Sequence, residues 1–140
     1  MIKCKNLPAN IDDLIPKAVI YLQSMSDILF AYLFGSFGRG KHFPLSDVDI
    51  AVYLKDPAVV RERKMEILGG LIDILQTDEI DLVVLNSAPL PLRMRILESK
   101  RVIVDREPLV RHHYESLTMR EYFDFSILEK EILNRRFLGG

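Results

Sequence analysis

Apolar residues first recur at three- and four-residue steps, at Ile11, Leu14, Ile15, Ala18, Val19, Leu22 and Met25, which predicts an amphipathic helix. Asp12 or Asp13 is expected to cap it, with Pro16 in the first turn, where a missing N–H does no harm. The pattern then changes to two compact apolar runs with strand character, ILFAYLF over residues 28–34 and VDIAVYL over 48–54. Asp56-Pro57 opens a second helix with an N-cap and a proline at the first helical position. Val59, Val60, Arg63, Ile67, Leu71 and Ile74 mark its face as far as about Leu75. Gly69-Gly70 in its middle costs about 1 kcal/mol per glycine, which points to close packing against the sheet or to a bend. A third strand at 80–85, a short helix at 89–99, a fourth strand at 102–104 and a long helix over 108–137 complete the order. At 140 residues, without repeats or low-complexity segments, this is one α/β domain with a core of its own.

Between the first two strands lies Gly35-Ser36-Phe37-Gly38-Arg39-Gly40, followed by Ser46-Asp47-Val48-Asp49. Residues i and i+2 of a strand share a face, so Asp47 and Asp49 should project side by side, with Val48 and Ile50 turned into the core. Two adjacent carboxylates repel unless a proton or a cation lies between them, and their hard oxygens suit Mg²⁺. Gly35 tolerates positive φ and lets a phosphate approach the backbone, Ser36 adds a hydroxyl, and Arg39 adds a forked cation. Ser46 is expected to orient the Asp47 loop or cap the strand. The segment lacks the Gly-Lys-Ser/Thr of a Walker P-loop, and it opens onto a carboxylate-bearing strand rather than the helix of a dinucleotide fold.

These residues resemble the GSxxRG…SDxD signature of the DNA polymerase β-like nucleotidyltransferases, and the short chain resembles their minimal nucleotidyltransferase (MNT) branch. The resemblance implies a third carboxylate on a later strand. Asp81 in Glu79-Ile80-Asp81-Leu82-Val83-Val84-Leu85 matches it, 32 residues after Asp49. It further implies a small mixed sheet covered by helices, mainly on one side, with a long C-terminal helix. Catalysis would use ATP and two Mg²⁺ ions, with Asp47, Asp49 and Asp81 as ligands and catalytic residues, and Gly35, Ser36, Arg39 and Ser46 around the nucleotide. Many such short proteins are MntA-type antitoxins paired with a HEPN-domain RNase toxin, to which they attach AMP on a tyrosine. That context implies a hetero-oligomer with the cognate toxin. The alternatives are an antitoxin that only masks its partner, or a transferase acting on a small molecule such as an aminoglycoside.

Charge narrows the partners. A net charge of −1 offers no basic stripe, so no nucleic acid is expected as a direct partner. Cys4 is alone, which excludes an intramolecular disulfide or a cysteine metal cluster. No apolar run reaches the length of a signal peptide or a membrane span, so the expected location is cytoplasmic. His112-His113 point apart on a helix and read as surface residues, and His42 reads as a loop histidine near the site. Arg93 and Arg95 are weaker candidates for the triphosphate. The long last helix carries more large apolar side chains than a four-stranded sheet can cover. It is a second core layer, or its outer half docks on another subunit.

Overall fold

The computed structural model describes residues 7–40 and 46–137. Its elements follow in the order α1 (Ile11–Gln23), β1 (Ile28–Phe34), α2 (Gly35–Gly38), β2 (Val48–Leu54), α3 (Val60–Leu75), β3 (Ile80–Val84), α4 (Leu90–Ser99), β4 (Arg101–Asp105) and α5 (Pro108–Phe137). The sheet order is β3-β2-β1-β4. β1 pairs antiparallel with both β2 and β4, and β2 pairs parallel with β3, so the sheet is mixed as expected.

Helices cover both faces, not mainly one. Ala31, Leu33, Ile50, Val52 and Leu82 face the larger core under α1 and α3. Phe30, Tyr32, Phe34, Ala51 and Leu85 face a second core with Ile96 and Leu97 of α4 and, at its margin, Val110 and Tyr114 of α5. The physical reason is in β1 itself, where six of seven residues are buried. An uninterrupted apolar strand needs cover on both sides.

Local chemistry explains the remaining departures. α1 begins after Asn10 rather than after Asp12 or Asp13, so Pro16 sits inside the helix, past its first turn. Asp56 does cap, accepting a bond from the Ala58 N–H at 2.9 Å, but the cap opens a 3₁₀ turn that runs into α3. Gly70 marks close packing against α1 rather than the sheet, because a methyl group there would strike the Tyr21 ring. Gly69 faces open space.

One buried network ties α5 to the centre of the sheet. The Tyr32 hydroxyl, fully buried on β1, donates to Glu115 Oε2 at 2.6 Å. Glu115 also meets Lys100 Nζ at 3.2 Å and Arg111 Nη1 at 3.3 Å, and Arg111 reaches on to Asp105 at 2.9 Å. Burial pushes the Glu115 carboxyl upward. The hydrogen bonds from Tyr32 and Lys100, together with the Lys100 and Arg111 charges, outweigh it and hold the group below its ordinary value. Burial and the bond to Glu115 push the Tyr32 phenol far up, so it stays a neutral donor. Beyond Tyr122 the helix leaves the core, and Phe123 is 65 % exposed.

Candidate active site

Strand register assembles the carboxylates. Asp49 is the second residue of β2 and Asp81 the second of β3, and the two are direct partners across the parallel pair. Partners in register show their side chains on the same face, here the face of the Phe30–Tyr32 core. Asp47 lies one residue ahead of β2, two before Asp49. Val48 and Ile50 between them are buried in the opposite core, as alternation predicts. Asp47 and Asp49 are half-buried, whereas Asp81 is exposed at the sheet edge.

The glycine segment abuts this row. Phe34, the last residue of β1, pairs with Asp49, so the chain turns away beside that carboxylate. The turn is a single turn of helix, α2, rather than an irregular loop. Gly35 has φ +64°, the left-handed conformation that glycine adopts without penalty, and a methyl group there would run into the Asp49 carboxylate. The Gly35 N–H is not offered to solvent. It donates to Ser99 Oγ at 2.9 Å. At Gly38 a methyl group would meet the carbonyl oxygens of Ser99 and Leu33. Both obstacles are backbone, so Gly38→Ala is expected to destabilise the protein by about 2 kcal/mol, read from urea unfolding.

The structure therefore brings Asp49, Asp81, Gly35 and Ser36 to one end of the sheet, with Asp47 and Ser46 leading into it. Arg39 caps the far end of α2 and is exposed, one residue before Gly40 at φ +75°. His42 and Cys4 lie outside the described residues. Arg93 is not a triphosphate ligand. Its guanidinium is held between α4 and α5 by Thr118 at 3.3 Å and Glu121 at 3.1 Å. Arg95, His112 and His113 are exposed. Ser99, which fixes the glycine turn, escaped sequence reasoning because a serine at a helix end carries no signal of a partner 64 residues away.

Among the described residues, no group of three Asp, Glu, His or Cys side chains is placed to hold a metal ion. The fold supplies instead the in-register pair Asp49 and Asp81, with Asp47 one residue ahead of β2. That suits Mg²⁺, which takes one or two protein carboxylates and completes its octahedron with water and substrate phosphate oxygens.

Residues 17–109 match the family model of the polymerase beta nucleotidyltransferases. The chain belongs to this family. As a nucleotidyltransferase, it is 30 % identical to a Methanocaldococcus jannaschii protein named for protein adenylyltransferase activity, over 81 % of this chain and 93 % of that one. Its fold is shared by a chain of a toxin–antitoxin complex solved with AMP-PNP (TM-score 0.69, 23 % identity, 89 % of this chain and 96 % of that one). It is shared also by a chain from the complex of a tri-AMPylated Shewanella oneidensis HEPN toxin with an MNT antitoxin (TM-score 0.64, 21 % identity, 90 % and 95 %). No described helix of the nucleotidyltransferase is long and apolar enough to cross a membrane.

Proposed function

We propose that this nucleotidyltransferase moves AMP from ATP to a tyrosine hydroxyl of a cognate HEPN toxin in the cytoplasm, and so acts as an antitoxin. The observation that carries the reading is the register of Asp49 and Asp81 beside the Gly35 turn, where the Asp49 carboxylate packs against backbone that any larger residue would block. The names of the similar proteins support the acceptor class.

The acceptor oxygen forms a bond to the α-phosphorus. The bond from that phosphorus to the oxygen bridging the β-phosphate breaks, and pyrophosphate leaves with the electron pair. Asp81, exposed at the edge, receives the hydroxyl proton. Asp47, Asp49 and Asp81 are the residues that would hold Mg²⁺, which when bound neutralises charge on the attacking and leaving oxygens. Ser36, with the backbone of α2, holds the phosphates, while Ser46 and Arg39 flank the nucleotide. The rest of the work is positioning, since aligned reactants need little further chemistry from the protein.

The outer half of α5 is the docking element in this reading. Phe123, Phe125, Ile127, Leu128, Ile132 and Leu133 are all exposed. At 100° per residue they lie all round the helix axis, a distribution that belongs to a helix enclosed by a partner. The same feature favours a second reading, an antitoxin that inhibits by masking alone. Intact mass spectrometry of the co-purified partner, before and after Mg²⁺ and ATP, separates the two. We expect whole AMP units to appear on the partner with the native chain and none with the Asp47→Asn/Asp49→Asn variant. A partner that stays bound and unmodified would establish masking.

A further inference from the structure

β3 is the edge strand nearest the carboxylates, and among the described residues no strand pairs with its outer side, although Leu82 and Val84 on it are largely covered by side chains. Val48 N–H bonds to Glu79 O at 3.0 Å, and Val48 stands opposite Ile80. In a parallel ladder this makes Glu79, Asp81 and Val83 the residues that bond to β2. Ile80, Leu82 and Val84 therefore aim their N–H and C=O groups away from the sheet. Among the described residues, no backbone group pairs with them.

That edge forms the floor of a groove of about 450 Å³. Its walls are the first turns of α3, with Arg61 and Lys64, and the start of α4, with Leu92. α3 packs on one face of the sheet and α4 on the other, so the opening runs as a slot along the strand edge between them. Asp81 and Leu82 lie along it, and Ser87 lies at its far end. Arg61 and Lys64 are exposed, and neither enters an ion pair among the described residues, whereas Arg63 between them is held by Asp27 at 2.6 Å and Glu66 at 2.8 Å.

We infer that this slot binds the acceptor segment of the partner protein as an added fifth strand. The segment is extended and acidic: its backbone pairs with Ile80, Leu82 and Val84, its carboxylates meet Arg61 and Lys64, and its hydroxyl is presented at Asp81. An unpaired strand edge is a template for a further strand, main-chain bonds giving affinity and side chains giving selectivity. Two cations on one wall select acidic sequence, and an unpaired strand edge on the floor favours an extended segment over a helix. The inference rests on Asp81 as the carboxylate on the acceptor side, and it deepens the proposed function by specifying how the acceptor is recognised.

The test uses three short synthetic peptides of alternating valine and threonine with one central tyrosine. One is flanked by glutamates, one by lysines, and one is the glutamate peptide methylated at alternate backbone nitrogens. Binding is read by fluorescence anisotropy without nucleotide, and AMP transfer by mass spectrometry with Mg²⁺ and ATP. The acidic peptide should bind about tenfold more tightly than the basic one, and Arg61→Glu/Lys64→Glu should invert that order. Backbone methylation in the register that faces β3 should abolish binding. Equal binding of all three peptides, no binding by any, or a charge-reversed variant with unchanged preference overturns the inference. Edge-dependent binding without AMP transfer would uphold the slot and refute the transfer reading. Transfer indifferent to methylation and charge would do the reverse.

Discussion

Asp49→Asn is expected to lower AMP transfer by about 10³-fold while leaving the fold in place. The side chain sits between two features that depend on its charge: Asp81 in register on β3, and the Gly35 backbone against which the carboxylate packs. Asparagine matches the size and one oxygen of aspartate but lacks the negative charge that binds a divalent cation. Metal assistance contributes several kcal/mol to a transfer of this kind, and each 1.36 kcal/mol is a factor of ten in rate. The buried neighbours Val48 and Ile50 are untouched, so the thermal midpoint should stay within about 4 °C of the native value. Transfer is read by mass spectrometry of the acceptor and folding by circular dichroism. A folded Asp49→Asn protein with native activity would remove the carboxylate row from the mechanism.

The largest expected effect on stability lies outside the carboxylates, at Glu115. Its carboxylate is buried and receives Tyr32, Lys100 and Arg111. Glu115→Ala leaves the fully buried Tyr32 hydroxyl without its acceptor and Lys100 and Arg111 without their counter-ion. Removing one member of such a buried set costs about 3–5 kcal/mol, measured by urea unfolding. Acid should expose the same dependence. The native pKa of Glu115 is depressed, so its contribution is complete above the ordinary value of 4.5 and is lost as pH falls through the lower native value. Native stability should therefore decline on that acid limb, and Glu115→Gln should flatten the decline.

The residues explain which parts of this molecule could be read in advance. Asp47 and Asp49 were legible as a same-face pair because strand alternation is a local rule, whereas Asp81 was expected only from the family resemblance, and the parallel register of β2 and β3 sets it beside Asp49. The Asp56 cap and the α3 terminus at Leu75 were legible for the same reason. Two-sided cover of the sheet was written in the unbroken apolar run of β1, yet what covers its second face depends on how α4 and α5 return across it, which no local pattern encodes. Ser99 and Arg93 show the same limit. The first holds the glycine turn and the second is held by α5, and both roles arise from contacts across the fold. The start of α1 slipped because Asn10, Asp12 and Asp13 are all competent caps, and the choice among them lies with the packing of Ile11 and Leu14.

The contact between Gly35 and Asp49 carries a thermodynamic consequence. In the proposed reading the phosphates meet a wall that the Asp49 carboxylate backs directly, so two anions would share a boundary. A cation between them would relieve that repulsion. Occupancy of the cation and nucleotide positions is therefore linked: whatever factor the cation adds to nucleotide affinity, the nucleotide must return to the cation. Such a pocket would respond to energy currency and divalent ion together rather than to either alone.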